Sequence, residues 1–230
     1  MKFDGCSNAG LSYTDKYKKA IINIFNWVEH NCDQERIIDY SEFQKSISET
    51  GVSDESEVRM IVPFLVKTGT ISNDNCIRGN TRLRKLIINK HFFTPIGKMF
   101  IQFLKAEVKI DKLNNPEIRK QINKIYHDFG VFQFDSLCKS EDLIYMDLYD
   151  FLKKYGYIVR DEFFILTGCR TMDQMDRLDD YIKRYREGSL RVELGNNINC
   201  FQYIIRQLQQ IGVIEAATKG FKLSAYFERI

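Results

Sequence analysis

The sequence predicts a mostly α-helical protein with small β-hairpins, in the α+β class. Apolar residues recur every three or four positions over long stretches of the 230 residues, which is the spacing of one buried helix face. A short junction that ends a helix and begins a strand occurs at three places. The composition, with 44% hydrophobic and 28% charged residues and three prolines, is typical of a folded soluble protein.

The junction has the pattern L-x-x-x-G-x-I and lies at residues 65–71, 152–158 and 208–214. Its leucine is the last core contact of a helix. Its glycine lets the chain leave through a left-handed conformation that other residues adopt at a cost. After each junction an aromatic residue and then Thr or Ser follow a polar turn, as in Phe92-Phe93-Thr94 and in Phe221-Lys222-Leu223-Ser224. The third case is the stretch 163–167.

A helix, a glycine exit, a strand, a turn and a returning strand resemble the second half of a winged helix-turn-helix domain. The resemblance implies two or three tandem winged-helix modules. Residues 1–12 are expected to form a flexible arm, and 13–110 a first module with a long basic wing and an extra C-terminal helix. Residues 111–168 and 169–230 are expected to be the second and third modules. The alternative is another α+β fold, since helix-glycine-strand junctions are not confined to winged helices.

The first module begins with a helix capped by Thr14, and Ser53 is expected to cap a later one. Pro63 lies inside that later helix, where a proline removes a backbone hydrogen bond, so the first module fits the pattern least well. The long wing covers residues 73–91. A further helix is expected to follow Thr94-Pro95.

The second module begins at Asn115-Pro116 with a helix that we expect to stop at Gly130. Ser140 is expected to cap the next helix, which ends at the second junction, and residues 157–166 are expected to form a compact wing. In the third module, Thr171 and Gln174 have the spacing of a capping box that opens a helix. The last helix is expected to begin near Asn197, before a hairpin over 213–223.

Winged helices usually bind duplex DNA by placing their third helix in the major groove, so the charge of each candidate helix matters. The first begins with acids at 54, 55 and 57, and the second contains Glu141, Asp142, Asp147 and Asp150, which would meet phosphates unfavourably. The last helix has no acid between residues 196 and 210. We therefore expect the last helix to contact DNA.

The residues predicted to contact DNA fall into three groups. Asn, Gln and Arg can form paired hydrogen bonds with adenine and guanine edges, and lysines at a hairpin can hold a phosphate. The outward face of the last helix supplies Asn199, Gln202, Arg206 and Gln209, and the hairpin after it supplies Lys219 and Lys222. The long wing supplies Arg78, Arg82, Arg84 and Lys85. For each group the alternative is a solvated surface, or for the last helix a face covered by a protein partner.

Catalysis finds little support in the sequence. The three histidines lie apart, and the six cysteines form no C-x-x-C pair. Glu107-Val108-Lys109 has the E-x-K spacing of many nucleases, but it follows a helix and lacks the upstream acid. We expect no enzyme activity, no cofactor, no metal and no small-molecule substrate. A nuclease role would need a catalytic partner.

The sequence thus predicts a cytoplasmic protein that binds double-stranded DNA, as a transcriptional regulator or as the DNA-reading subunit of a restriction or defence system. The net charge of +3 permits DNA binding without requiring it. No apolar run is long enough to cross a membrane. The alternative is an adaptor that binds a protein partner in a chromosome-organising or defence complex, or that forms a homo-oligomer.

Overall fold

A computed structural model describes residues 1–6, 10–80, 82–110, 115–140 and 144–228. The fold is mostly α-helical with small sheets, as predicted. By packing, the chain divides into two compact units, one of Tyr13–Ile125 and one of Met1–Ser12 with Tyr126–Ile230. None of the helices in the described part of the chain is long and apolar enough to cross a membrane.

The described residues form nine α-helices and seven β-strands. In chain order these are β1 (Lys2–Phe3), α1 (Asp15–Asn31), β2 (Arg36–Asp39), α2 (Tyr40–Ser48), α3 (Glu55–Lys67), β3 (Cys76–Gly79), β4 (Arg82–Ile88), α4 (Pro95–Ile110), α5 (Pro116–Lys139), α6 (Ile144–Tyr155), α7 (Arg160–Thr171), α8 (Leu178–Arg186), β5 (Glu193–Leu194), α9 (Cys200–Gln210), β6 (Ile214–Ala216) and β7 (Phe221–Leu223).

In the unit of Tyr13–Ile125, helices α1 to α4 pack with one antiparallel sheet. The sheet order is β2-β4-β3, so the first strand pairs with the last. Ile38, Leu86 and Ile88 point from the sheet into the core and are buried. Helix α1 begins at the predicted cap, where Thr14 Oγ1 accepts a hydrogen bond from the Tyr17 amide at 3.4 Å.

Helix α3 begins one residue later than predicted, because Asp54 rather than Ser53 is the cap. The Asp54 carboxylate accepts a hydrogen bond from the Glu57 amide at 2.8 Å, and Glu57 accepts one from the Asp54 amide at 3.2 Å. This reciprocal pair satisfies two amides that the first turn leaves unpaired. The helix continues through Pro63 to Lys67.

The three predicted glycine exits are confirmed. Gly69, Gly156 and Gly212 have φ angles of 68°, 80° and 75°, in the left-handed region. The chain makes the same turn after Gly69 and after Gly212. The Thr70 amide donates a hydrogen bond to the Leu65 carbonyl, and the Val213 amide donates one to the Leu208 carbonyl, each at 2.8 Å. The local sequence alone therefore determines where these helices end.

The returning residue after these two exits also makes the same contacts in both units. In the first unit Thr94 Oγ1 donates to the Gly69 carbonyl at 2.6 Å and the Thr94 amide donates to the Thr70 carbonyl at 3.1 Å. In the second, Ser224 Oγ donates to the Gly212 carbonyl at 2.7 Å and its amide to the Val213 carbonyl at 2.9 Å. A hydroxyl residue thus closes each helix-strand junction.

The compact wing predicted for residues 157–166 is wrong. Only Ile158 is in an extended bridge, and it pairs with Phe221 of β7. Helix α7 begins at Arg160, and Glu162 accepts a hydrogen bond from the Val159 amide at 3.0 Å, as a third residue of a helix often does. The acids taken for a turn therefore form the first helical turn.

With this correction, six elements of each unit follow one order, which leaves aside α4, α5, β1 and β5. In Tyr13–Ile125 the order is α1, β2, α2, α3, β3, β4. In the other unit it is α6, the bridge at Ile158, α7, α9, β6, β7, with α8 inserted after α7. In both, the first extended segment pairs with the last strand. Residues 126–168 of the predicted second module lie in one compact unit with residues of the predicted third module.

The N-terminal residues differ from the expected flexible arm. Lys2 and Phe3 pair in parallel with Glu193 and Leu194, and Phe3 is buried. A parallel pair between residues so far apart in sequence leaves no local signal. The predicted boundary at residue 111 falls on 111–114, which lie outside the described residues.

Two further helix boundaries were predicted wrongly. Helix α5 runs past Gly130, where the missing side chain lets the helix approach the Ile211 carbonyl; an added Cβ would lie 2.1 Å from that oxygen. Thr171 ends α7 instead of opening a helix, and α8 begins at Leu178. The acids at 141 and 142 lie outside the described residues.

Candidate nucleic-acid interface

Helix α9 is amphipathic, and the packing of its buried face determines which side chains point to solvent. Ile204, Ile205 and Leu208 are buried, and Phe201 packs edge-on against Phe163 and Phe221 with ring centroids 5.3 and 6.1 Å apart. A helix held in this way along one side presents the opposite side as a rigid surface.

The outward face of α9 carries three of the predicted side chains in solvent. Asn199, at the N-cap, and Gln202 and Arg206 are exposed, whereas Gln209 is half-buried. Tyr203, which was not singled out from the sequence, is 42% exposed on the same face. Gln202 and Tyr203 each lie three or four positions from Asn199 and from Arg206, so the four form one stripe of amide, phenol and guanidinium groups.

No acidic residue lies within α9, and Arg206 has no ion-pair partner among the residues that the structure describes. Beneath the stripe, Gln207 is fully buried and its Oε1 accepts a hydrogen bond from the Tyr145 hydroxyl at 3.0 Å. Because Gln207 is buried, its amide does not belong to the outward surface of α9.

The hairpin of β6 and β7 follows α9 directly. Lys219 is exposed in its turn. Lys222 is half-buried and pairs with Glu215 on the facing strand at 3.0 Å. The hydrogen bond to Glu215 raises the pKa of Lys222, and the same carboxylate offsets its charge. Lys219 is therefore the better placed of the two for an anionic ligand.

The β3–β4 hairpin in the other unit carries the second basic group. Arg78, Arg82, Arg84 and Lys85 are all exposed on it. Asp39 of β2 lies beside Lys85, with 3.7 Å between its Oδ1 and Lys85 Nζ. The sheet places β2 next to β4, which the local sequence could not reveal. Among the described residues, no carboxylate forms an ion pair with Arg82 or Arg84.

The acids on the other two candidate helices have structural roles. Glu57 of α3 is buried, completes the cap of its helix and pairs with Lys16. Asp147 of α6 pairs with Arg170 of α7. Glu55 and Asp150 are exposed and leave both surfaces acidic. Of the three helices, α9 alone contains no acid.

The E-x-K stretch lies within α4, so the prediction that it follows a helix is wrong. Glu107 is buried and accepts a hydrogen bond from Lys18 Nζ of α1 at 2.5 Å, so it serves as half of an interior ion pair. Among the described residues, no group of three or more His, Cys, Asp and Glu side chains is placed to hold a metal ion.

Comparison with known proteins gives no relative. No protein-family model, no curated protein and no solved structure matches the chain.

Proposed function

We propose that this protein binds duplex DNA without catalysing a reaction on it, and that α9 reads the bases. The observation that carries the proposal is the stripe of Asn199, Gln202 and Arg206, which is exposed on a helix that contains no acid. Asn and Gln can bond adenine through two hydrogen bonds, and Arg can bond guanine in the same way. An α-helix with such a face fits the major groove.

The order of elements in each unit supports the proposal. Each unit contains a helix that ends at a glycine exit and is followed by a hairpin, which is the order that the resemblance to winged helices implies. In the unit of α9, the hairpin turn presents Lys219. A lysine at this position can hold a phosphate while the helix contacts the bases.

The β3–β4 hairpin would add contacts to the phosphate backbone that do not depend on sequence. Its exposed arginines can each neutralise one phosphate and release a counterion. DNA reading of this kind suits a transcriptional regulator, and equally a DNA-reading subunit of a restriction or defence system.

The test is binding of the intact chain to a labelled random duplex over a range of salt concentrations. We expect affinity to fall steeply as salt rises. Changing Asn199, Gln202 and Arg206 together to Ala should abolish preference for a selected site while the protein retains most of its salt dependence. Changing Arg82 and Arg84 to Ala should reduce the slope of log affinity against log salt by up to about 2.

A matched control exists on α5, where Gln121, Asn123 and Lys124 are also two amides and one cation in solvent. Changing these three to Ala should leave site preference intact. If the intact chain shows no binding at low salt, the DNA proposal fails.

One observation favours a second candidate, an adaptor that binds a protein. Helices α4 and α5 flank an apolar groove of about 260 Å³ within the unit of Tyr13–Ile125. Its wall contains Phe103, Ala106, Ile110, Ile118, Ile122 and Ile125. Apolar surface of this kind is typical of protein contacts rather than DNA contacts. Failure of DNA binding would direct the search to this groove.

A further inference from the structure

The N-terminal strand brings Cys6 to the start of α9. Strand β1 pairs in parallel with β5, and the pairing continues beyond it, since the Gly5 amide donates to the Asn196 carbonyl at 2.9 Å. The Asn196 amide in turn donates to the Asp4 carboxylate at 2.7 Å. Residues 2–5 therefore follow residues 193–196 in register, and the next residue arrives where α9 begins.

Gly5 is needed for this close approach. A Cβ added to it would lie 2.5 Å from Cys200 Sγ and 2.5 Å from the Asn197 carbonyl oxygen. Residue 5 packs directly on the Cys200 sulfur, and the thiol of the next residue, Cys6, is close enough to this sulfur to hydrogen-bond to it. Cys200 is buried, whereas Cys6 is half-buried.

From this geometry we propose that Cys6 and Cys200 are a redox-sensitive thiol pair that closes into a disulfide when it meets a low-molecular-weight disulfide. The bond would fasten the N-terminal strand to the first turn of α9. The proposal concerns a modification site and does not depend on DNA binding.

The environment of Cys200 favours its thiolate. Hydrogen bonds from the Cys6 thiol and from the amides of Cys6 and Phe201 lower the pKa of Cys200 against the opposing effect of burial. Cys200 is also the first residue of α9, where the positive end of the helix dipole stabilises a thiolate. In contrast, burial raises the pKa of Cys76, Cys138 and Cys169 to about 11.

The reaction balances in two exchange steps. First, the more exposed Cys6, as its thiolate, attacks one sulfur of oxidised glutathione, and a Cys6–glutathione disulfide forms as one glutathione thiolate leaves. The Cys200 thiolate then attacks the Cys6 sulfur, and the second glutathione thiolate leaves. The two protein thiols lose two electrons and two protons, and the two released glutathione molecules gain them.

The experiment treats the folded full-length chain with oxidised glutathione, followed by thiol counting, intact mass and peptide mapping. We expect the number of free thiols to fall from six to four, the mass to fall by two hydrogen atoms, and a peptide that joins residues 6 and 200 to appear. The closed bond should also raise the melting temperature, because it links distant parts of the chain.

Three variants distinguish a disulfide between Cys6 and Cys200 from unspecific oxidation of the other cysteines. Cys200→Ser should retain glutathione on Cys6, because the resolving thiolate is missing, and Cys6→Ser should leave Cys200 reduced. Cys138→Ser is the matched control and should still form the bond. The proposal is overturned if all six thiols of the intact chain stay free, or if its cross-links join other cysteines. The mapping of the intact chain does not depend on whether any variant folds.

Discussion

Three glycines end helices with the same left-handed backbone, but their surroundings differ. Around Gly156 no atom lies within 4 Å of an added Cβ. At Gly212 an added Cβ would lie 2.3 Å from Cδ2 of His127. The backbone requirement could be predicted from the sequence, because only glycine adopts this φ cheaply. The packing requirement at Gly212 could not, since His127 is distant in sequence.

The two glycines therefore give a graded prediction. Gly156→Ala should destabilise the protein by about 1–2 kcal/mol, which is the cost of a left-handed alanine. Gly212→Ala should cost clearly more, because the ring of His127 must also move. Urea unfolding of both variants measures the difference. Gly156→Asn is the control and should cost less than Gly156→Ala, and equal costs for the two alanine variants would contradict this account of Gly212.

The three residues proposed to read bases could be predicted to lie on one face of α9, because helical spacing separates them from the apolar stripe. The exposure of Tyr203 fits the same spacing. Tyr203 was not among the predicted contacts, because its side chain is uncharged. The burial of Gln207 could not be predicted, since its hydrogen-bond partner Tyr145 lies in another helix. Local pattern thus identifies faces, whereas buried polar residues need the fold.

Among the elements, α7 shows where periodicity fails. Residues 163–166 are four consecutive apolar residues, and a short run of this kind suits either a buried strand or a helix covered on several sides. In the structure all four are fully buried within α7. Packing from both sides favours the helix, and the acids Asp161 and Glu162 in its first turn are the local feature that distinguishes it from a strand.

Helices α1 and α4 are joined by an interior ion pair. Lys18 and Glu107 are both buried, with 2.5 Å between Nζ and Oε1. Lys18→Met should destabilise the protein by about 3–5 kcal/mol, because the carboxylate stays buried without its cation. The double change Lys18→Met with Glu107→Leu should recover most of that loss, because neither charge is then desolvated.

Guanidinium unfolding of the single and double variants measures the coupling between the two residues. Lys19→Met is the matched control, since Lys19 is exposed on the same helix, and it should change stability by less than about 0.5 kcal/mol. Strictly additive losses in the double variant would mean that the pair contributes no interaction of its own.

At the scale of the whole molecule, one unit is discontinuous in sequence. It combines Met1–Ser12 with Tyr126–Ile230, and the other unit lies between them in the chain. The repeated order of elements was partly visible in the sequence, because the same junction recurs in both units. The pairing of the N-terminal strand with the rest of its unit was not visible, because a strand of two residues is too short to show an alternation of apolar and polar side chains.

Phe3 packs this strand into the core of its unit. It is 1% exposed, its ring lies edge-on to Tyr181 with centroids 5.8 Å apart, and an added Cβ on Gly168 would lie 2.4 Å from its Cδ1. Phe3→Ala should cost about 3–5 kcal/mol, as the loss of a buried aromatic ring usually does. The loss should fall on the unit that contains Phe3.

Hydrogen exchange followed by mass spectrometry locates the effect. We expect amides of α7 and α8, which surround Phe3, to exchange faster in Phe3→Ala, while amides of α1 and α3 keep their rates. Lys2→Ala removes an exposed neighbour on the same strand and should leave both sets unchanged. If exchange rose equally throughout Tyr13–Ile125, the N-terminal strand would not belong to the second unit alone, because the two units would then lose stability together.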